Sequence, residues 1–91
     1  MKLKWTSTAY NDLSRLHAFL AKANPKAANR TVRVLVAAPT RLLAQPKIGE
    51  TLNNFEPRDV RRILSGRYEM RYEIQEKTIY ILRIWHVRED R

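Results

Sequence analysis

The residues in this sequence whose types and spacing could perform chemistry lie near its C-terminal end, in the segment Trp85-His86-Val87-Arg88. An imidazole can transfer a proton near neutral pH, and a guanidinium can stabilise a phosphate or a carboxylate. Because the surrounding pattern places His17 in a helix, His86 is the candidate histidine. A simple strand end, with the His86 ring packed beside Trp85 and Arg88 in solvent, is the alternative interpretation. Both stay open, because the segment lies at the exposed end of a predicted strand.

Two further arginines, Arg61 and Arg62, are adjacent in the chain, so a strand would place one guanidinium on each face of a sheet. One of them can pair with Glu56 or with a carboxylate of the sheet, and a phosphate is the alternative ligand. The chain contains no cysteine, and its two histidines are far apart, so we expect no metal site and no cofactor.

The positive charge of the chain is concentrated in its first half. The net charge is +9, and residues 1–47 contain nine Lys or Arg against a single acidic residue, Asp12. This distribution favours a polyanionic or acidic partner. The candidate contact residues form a basic row on the second predicted helix, namely Lys26, Arg30, Arg33 and Arg41. A solvated helix face is the alternative interpretation of this row.

The C-terminal third predicts the sheet that must position these residues. Residues 67–74 alternate between charged and apolar side chains, which indicates a strand with one buried face and one face in water. Ser65-Gly66 can form a tight turn, so residues 58–64 are the predicted antiparallel partner. Residues 79–85 are apolar on both faces, as in a central strand. Residues 2–5 alternate over a short length and predict an edge strand.

The N-terminal half predicts two helices that cover this sheet. The first runs from about Ser7 to Ala21, with Phe19 widening its apolar stripe. Asn24 and Pro25 are the N-cap and first residue of the second helix, and Pro39 predicts a bend or a restart. Residues 44–58 predict a loop, which Ile48, Leu52 and Phe55 are expected to anchor.

These elements predict one α+β domain over residues 1–91, in the order β-α-α-β-β-β, with an N-terminal αα-hairpin packed on a twisted antiparallel sheet. No apolar run approaches the ~20 residues that a membrane span needs. The N-terminus lacks the apolar stretch of a signal peptide, so we expect a cytoplasmic protein without a membrane partner.

Several short motifs together resemble one protein family, the RelE/ParE toxin superfamily. In chain order they are Trp5, Ala9, Asp12-Leu13, Asn24-Pro-Lys-Ala-Ala28, Leu43-x-x-Pro46-x-x-Gly49, Arg61-Arg-Ile-Leu64, Tyr68-x-x-Arg-Tyr72 and Ile81-Leu-Arg-Ile-Trp-His-Val-Arg88. Each motif alone is weak, but their order and spacing are specific. The resemblance implies the β-α-α-β-β-β fold. It also implies the toxin of a type II toxin–antitoxin module, often used for plasmid stabilisation, which an acidic antitoxin neutralises.

The resemblance implies two kinds of activity, and two residues separate them. Some members carry a His-Arg-Leu-Val-Tyr strand and cut mRNA on the ribosome, and their arginine position holds Glu69 here. The aromatic residue that follows the histidine in some of these nucleases is Val87 here, which removes a platform for base stacking. Both departures favour a ParE-like toxin, which poisons DNA gyrase by binding it.

The ParE-like hypothesis assigns target binding to Trp85, His86 and Arg88, with no catalytic residue. The basic row Lys26, Arg30, Arg33 and Arg41 is assigned to the acidic antitoxin. One alternative is a RelE-like endoribonuclease that acts on the ribosome and its mRNA, with His86, Arg88 and Arg62 as its catalytic residues. Another is a decayed or purely antitoxin-binding homologue.

Overall fold

The computed structural model describes residues 1–88, and they form two helices packed on one face of a five-stranded sheet. The elements follow the order β1 (Lys2–Trp5), α1 (Ser7–Ala21), α2 (Pro25–Ala37), a 3₁₀ helix (Ala38–Leu43), β2 (Glu50–Thr51), a 3₁₀ turn (Asn53–Phe55), β3 (Asp59–Ser65), β4 (Tyr68–Gln75) and β5 (Thr78–His86). The α+β class and the predicted element order are confirmed. No helix in this part of the chain is both long and apolar enough to cross a membrane.

The sheet has the strand order β1-β5-β4-β3-β2 and is open at both edges. Strands β3, β4 and β5 pair antiparallel, as predicted. The two-residue strand β2 lies in the segment predicted to be a loop and pairs antiparallel with β3. Strand β1 pairs parallel with β5, so the sheet is mixed. The sequence predicted an edge strand at residues 2–5 without its direction. The parallel pairing is possible because α1 and α2 carry the chain across the sheet. The chain leaves β1 at one edge, enters β2 at the other edge, and reaches β5 through the antiparallel strands.

Both helices begin after a residue whose side chain caps them, and Asn24 is the N-cap predicted for α2. The Thr6 hydroxyl accepts a hydrogen bond from the Ala9 N–H at 3.1 Å and donates one to the Ile81 carbonyl at 2.8 Å, so this N-cap also ties α1 to β5. Asn24 accepts a hydrogen bond from the Ala27 N–H at 3.1 Å. The α-helical geometry of α2 ends at Ala37, two residues before Pro39, and continues as the 3₁₀ helix.

The apolar core lies between the helices and the sheet. Its buried residues are Ala9, Leu13, Leu16, Leu35, Leu42, Ile63, Met70, Tyr72, Ile79, Ile81 and Ile84. Of the β4 side chains predicted to face the core, Met70 and Tyr72 are buried in it, and Tyr68 and Ile74 are half-buried against it. Phe19, which was predicted to widen the α1 stripe, is instead 69% exposed, so that prediction is wrong.

The second face of the sheet differs from its prediction, because its charged side chains are not left in water. Glu69 and Glu73 of β4 are buried on this face. Arginine guanidiniums pair with both carboxylates and also stack on aromatic rings, with Arg71 lying 5.1 Å from the Phe55 ring centroid. These ion pairs therefore shield the second face of the sheet from water. In a larger domain a second layer of helices would cover such a face.

The loop before β3 is held by a residue that the sequence assigned only to the core. The Tyr72 hydroxyl donates to the Pro46 carbonyl at 2.7 Å and accepts from the Gly49 N–H at 3.0 Å, and burial raises the pKa of this phenol. Phe55 is half-buried as predicted, but Ile48 is exposed and does not anchor the loop. The backbone groups of Pro46 and Gly49 in the Leu-x-x-Pro-x-x-Gly motif therefore both bind the Tyr72 phenol.

Candidate functional site

A β-bulge in β5 sets the direction of the candidate site residues. Tyr72 pairs with Ile81 and Arg71 pairs with Arg83, so Leu82 is an extra residue in β5. The buried Asp12 carboxylate of α1 accepts hydrogen bonds from the Ile84 N–H at 2.9 Å and from Arg83 Nε at 2.8 Å. This contact fixes α1 against β5 directly after the bulge.

His86 lies on the helix side of the sheet, against Tyr68 of the neighbouring strand. The two rings meet edge to face, with their centroids 5.3 Å apart. The Arg88 N–H donates to His86 Nδ1 at 3.1 Å. Since Nδ1 accepts this hydrogen bond, the neutral ring must carry its proton on Nε2.

A cavity of about 560 Å³ opens on one side of this ring pair and is called the α1-side cavity. Its lining is mainly apolar and consists of Arg15, Leu16, Phe19, Leu20, Tyr68, His86 and Arg88. Two of the predicted target-binding residues, His86 and Arg88, are therefore brought together here. The cavity combines an apolar interior with guanidiniums, which suits an apolar side chain beside an acidic group.

Trp85, the third predicted target-binding residue, is separated from His86. It pairs with Glu69 across the sheet, so its side chain lies on the face opposite the helices, where it is buried. The Arg71 and Arg83 guanidiniums lie 4.8 Å and 5.4 Å from a Trp85 ring centroid. The alternation of side chains along β5 places neighbours on opposite faces, so the structure does not bring Trp85 and His86 into one contact surface.

Arg62 also lies on the face opposite the helices. It forms ion pairs with Glu50 and with the buried Glu69, whose contact with Arg62 Nη1 measures 3.2 Å. The structure therefore does not bring Arg62 to His86, although the endoribonuclease alternative requires them together. Its neighbour Arg61 pairs with Asp59 and donates to backbone carbonyls of the loop.

The four predicted antitoxin-binding residues Lys26, Arg30, Arg33 and Arg41 are all exposed along α2 and the 3₁₀ helix. Arg30 lines a second cavity, of about 270 Å³, which is called the α2-side cavity. Its lining comprises Arg30, Thr31, Val34, Leu35, Ser65, Gly66, Arg67, Tyr68 and His86. The Tyr68–His86 ring pair thus stands between the two cavities. Arg41 donates to the Leu64 carbonyl at 3.0 Å, and Lys26 and Arg33 line neither cavity.

Sequence reasoning missed the α1 residues Arg15 and Phe19 and the turn residue Arg67, all of which line a cavity. Two signals were available. An aromatic residue beside the stripe of a surface helix can face a partner instead of the core. The Ser65-Gly66 turn places the residue that follows it, Arg67, beside α2. Within residues 1–88, no group of three side chains is arranged to hold a metal ion.

Comparison with known proteins gives a consistent result. A family profile described as the ParE toxin of the type II toxin–antitoxin system parDE matches residues 3–91. The chromosomal ParDE toxin–antitoxin system of P. aeruginosa contains a similar chain with a TM-score of 0.78 and 26% identity, covering 94% of this chain and 95% of that one. A chain of the RelBE2 toxin–antitoxin complex of Mycobacterium tuberculosis gives a TM-score of 0.60 and 26% identity, covering 93% and 88%. A search of curated protein sequences gives no match.

Proposed function

This chain belongs to the ParE toxin family of type II toxin–antitoxin systems, and on that premise we propose that it stops growth by binding and poisoning DNA gyrase. The target site in this proposal is the α1-side cavity, with His86 and Arg88 as contact residues. A cognate acidic antitoxin neutralises the toxin. The toxin acts in the cytoplasm, as part of a module that stabilises a plasmid.

The observation that carries the choice of binding over cleavage is the environment of Glu69. Nuclease relatives hold an arginine at this position of the resemblance. Glu69 is 1% exposed, lies on the face opposite His86, and pairs with Arg62. A metal-free ribonuclease needs cations around the reacting phosphate. Strand β4 supplies none to His86 from this position, because the residue is acidic and lies on the other face of the strand.

The hydrogen bonding of His86 supports the same choice. A general base that activates a 2′-hydroxyl needs a nitrogen lone pair directed at the substrate. Nδ1 of His86 already accepts the Arg88 N–H, so the neutral ring offers an N–H donor to its surroundings at Nε2. This arrangement suits the binding of an acceptor group on a partner protein. It does not suit proton abstraction.

The charge distribution supports an acidic antitoxin as the neutralising partner. Arginines in the sheet and next to it pair with carboxylates inside the domain, as Arg83 does with Asp12 and Arg58 with Glu73. Arg30 and Arg33 of α2 form no ion pair within residues 1–88. An antitoxin segment with opposite charge is attracted to this face over roughly a Debye length, ~8 Å at physiological ionic strength.

One observation favours a RelE-like endoribonuclease as the second candidate. Arg30 and Arg67 line the α2-side cavity together with His86 and Tyr68, so two cations and an imidazole share one cavity. Such a group could bind a phosphodiester. The candidate is weaker because these arginines extend from a surface helix and a turn, where no side-chain hydrogen bond or ion pair to another residue of the described range 1–88 orients them.

The experiment compares the two activities with one preparation of toxin. We expect the wild-type protein to inhibit gyrase supercoiling and to leave mRNA on programmed ribosomes intact. His86→Ala and Arg88→Ala should weaken gyrase inhibition, whereas Lys22→Ala, an exposed change at the end of α1 that lines neither cavity, should not. Ribosome-dependent cuts that disappear in His86→Ala would reject gyrase poisoning in favour of the second candidate.

A further inference from the structure

The bulge in β5 decides which face of the sheet receives His86. Ile81 faces the helices, so regular alternation would also bring residues 83 and 85 to the helix side and would place His86 on the opposite face. The extra residue Leu82 moves the alternation by one position, and His86 therefore lies on the helix side, where it lines the α1-side cavity. The target site proposed above thus depends on a bulge whose extra residue does not line the cavity.

Helix α1 takes the place of an edge strand beside this bulge. Strand β1 pairs with β5 only from Thr78 to Ile81, so the following residues of β5 have no strand on that side. Before the bulge, the Thr6 hydroxyl donates to the Ile81 carbonyl at 2.8 Å. After it, the Asp12 carboxylate accepts the Ile84 N–H at 2.9 Å. The N-cap of α1 and a side chain of its second turn therefore hold the β5 backbone on both sides of the bulge.

The Asp12 carboxylate is held in one orientation by several donors. Asp12 is 5% exposed, and its Oδ2 atom accepts the Ile84 N–H and Arg83 Nε. Its Oδ1 atom accepts Arg15 Nη2 and Arg83 Nη2, both at 3.3 Å. An apolar side chain of similar size could pack α1 on the sheet, but it would leave the Ile84 N–H without this acceptor. The charged group therefore serves the backbone after the bulge as well as the packing.

We propose that Asp12 is a positioning residue for target binding, because it fixes the β5 backbone after the bulge and thereby sets the direction of His86. This inference rests on the proposed function. Asp12 does not line the α1-side cavity, so it acts on the target through His86 and not by contact. A misplacement of about 1 Å in a site residue can cost as much as a hundred-fold in activity. The alternative is a purely structural role, in which Asp12 stabilises the fold and nothing more.

The first test measures the place of His86 by NMR spectroscopy of isotope-labelled toxin. The wild type should show nuclear Overhauser contacts between the rings of His86 and Tyr68, which meet edge to face. Asp12→Ala should lose these contacts. Asp12→Asn should keep them, because its amide oxygen can still accept the Ile84 N–H. Leu42→Ala is the matched control, since it opens a hole in the core but lines neither cavity, and it should also keep them.

Asp12→Glu separates geometry from charge. It keeps the negative charge beside Arg83 but adds a methylene to a buried contact between α1 and β5, which must then shift. We therefore expect His86 to be displaced more in Asp12→Glu than in Asp12→Asn. An electrostatic role alone would give the opposite order and would overturn the proposal. This comparison also stands if circular dichroism shows that Asp12→Ala is unfolded.

The second test is a double-mutant cycle on the inhibition of gyrase supercoiling. Asp12→Ala, or Asp12→Glu in its place, should weaken inhibition by about ten-fold or more. In the His86→Ala background the same change should cost less than about three-fold, because a residue that acts through His86 has little left to position. Any loss caused by Leu42→Ala should be the same in both backgrounds. Equal losses from the Asp12 change with and without His86 would reject the positioning role.

The two tests separate this inference from the proposed function. A wild-type toxin that has no effect on gyrase rejects the proposed target, and the NMR comparison still tests whether Asp12 directs His86. A toxin that poisons gyrase while Asp12→Ala and Asp12→Glu retain the contacts between His86 and Tyr68 rejects the inference alone.

Discussion

The carboxylate of Asp12 accepts the backbone N–H of Ile84 at 2.9 Å, immediately after the bulge in β5. The same carboxylate accepts Arg83 Nε at 2.8 Å and is buried. A side chain of α1 thus accepts a hydrogen bond from the backbone of the sheet. The Arg83 guanidinium pairs with the same carboxylate. This arrangement joins the helix that lines the α1-side cavity to the strand that contains His86.

Replacing Asp12 should destabilise the domain strongly. Asp12→Ala leaves the Ile84 N–H and the Arg83 guanidinium without this acceptor, so we expect a loss of about 3–5 kcal/mol in the free energy of unfolding. Asp12→Asn keeps one acceptor and should cost less. Arg15→Ala removes the more exposed of the two arginine partners and should cost under about 1 kcal/mol. Urea unfolding measures all three, and similar losses for Asp12→Ala and Arg15→Ala would contradict this account.

Substitution of Gly49 should fail for steric reasons. A Cβ at this position would lie 2.6 Å from the Tyr72 hydroxyl and 2.7 Å from the Arg62 carbonyl. Gly49→Ala should therefore cost about 1–3 kcal/mol. Gly66 provides the comparison, because its φ of +58° is the constraint and its surroundings are open.

Asparagine separates these two causes. It tolerates the left-handed region, so Gly66→Asn should be less destabilising than Gly66→Ala. Gly49→Asn should be no better than Gly49→Ala, because the space is still filled. Thermal unfolding of the four variants distinguishes the positions, and a mild effect of Gly49→Asn would show that the loop can move away from Tyr72.

The ion pair between Arg58 and Glu73 should make stability depend on acid pH. The hydrogen bonds from Arg58, at 2.7 Å and 3.0 Å, lower the pKa of Glu73 in the folded protein. The contribution is therefore present above the unfolded pKa, roughly 4.3, and is lost as the pH falls through the lower folded value.

Arg58→Ala tests this sign. The stability difference from wild type should be largest near about pH 7 and should shrink towards about pH 3. Arg67→Ala, which removes a guanidinium without an ion pair in the described range 1–88, should show no such trend. Urea midpoints at several pH values measure it. A constant difference for Arg58→Ala would assign its effect to packing on Phe55, whose ring centroid lies 5.8 Å from the Arg58 guanidinium.

Adjacent residues of α2 should separate stability from binding. Leu35 is 1% exposed in the core, so Leu35→Ala should cost about 2–5 kcal/mol. Val34 is 60% exposed and lines the α2-side cavity, so Val34→Ala should change stability by less than about 0.5 kcal/mol and still weaken the antitoxin complex. Unfolding and binding measurements on the two variants check this, and a small loss for Leu35→Ala would mean that it is not central to the core.

The sequence predicts the elements well because their signals are local. Asn24 and Pro25 mark the start of α2, and Gly66 marks the β3–β4 turn. The parallel pairing of β1 could not be predicted, because it depends on where two helices return the chain. The burial of Glu69 and Glu73 could not be predicted either. Charged and apolar residues alternate in the same way whether the charged face of a strand lies in water or is covered by ion pairs.

The candidate site was predicted less completely, because it is assembled from distant segments. His86 and Arg88 do meet, but strand alternation separates Trp85 from them. The bulge in β5 is followed directly by a hydrogen bond from the Ile84 N–H to Asp12, a residue more than 70 positions away in the sequence. The basic row on α2 divides in the structure. Arg30 lines the α2-side cavity and Arg41 donates to the Leu64 carbonyl, whereas Lys26 and Arg33 line neither named cavity. Helix periodicity alone cannot show which part of a helix faces a neighbouring turn.

The parallel pairing of β1 with β5 also constrains how this protein can fold during synthesis. The two helices make local contacts, but β1 and the Thr6 cap can find their hydrogen-bond partners only after Ile81 has left the ribosome. Strand β1 is thus synthesised first but has no strand to pair with until β5 has been synthesised. A nascent or truncated chain without β5 lacks His86, the inner neighbour of β1 and the tie between Thr6 and the sheet. The complete toxin fold therefore cannot form until translation of the domain is nearly finished.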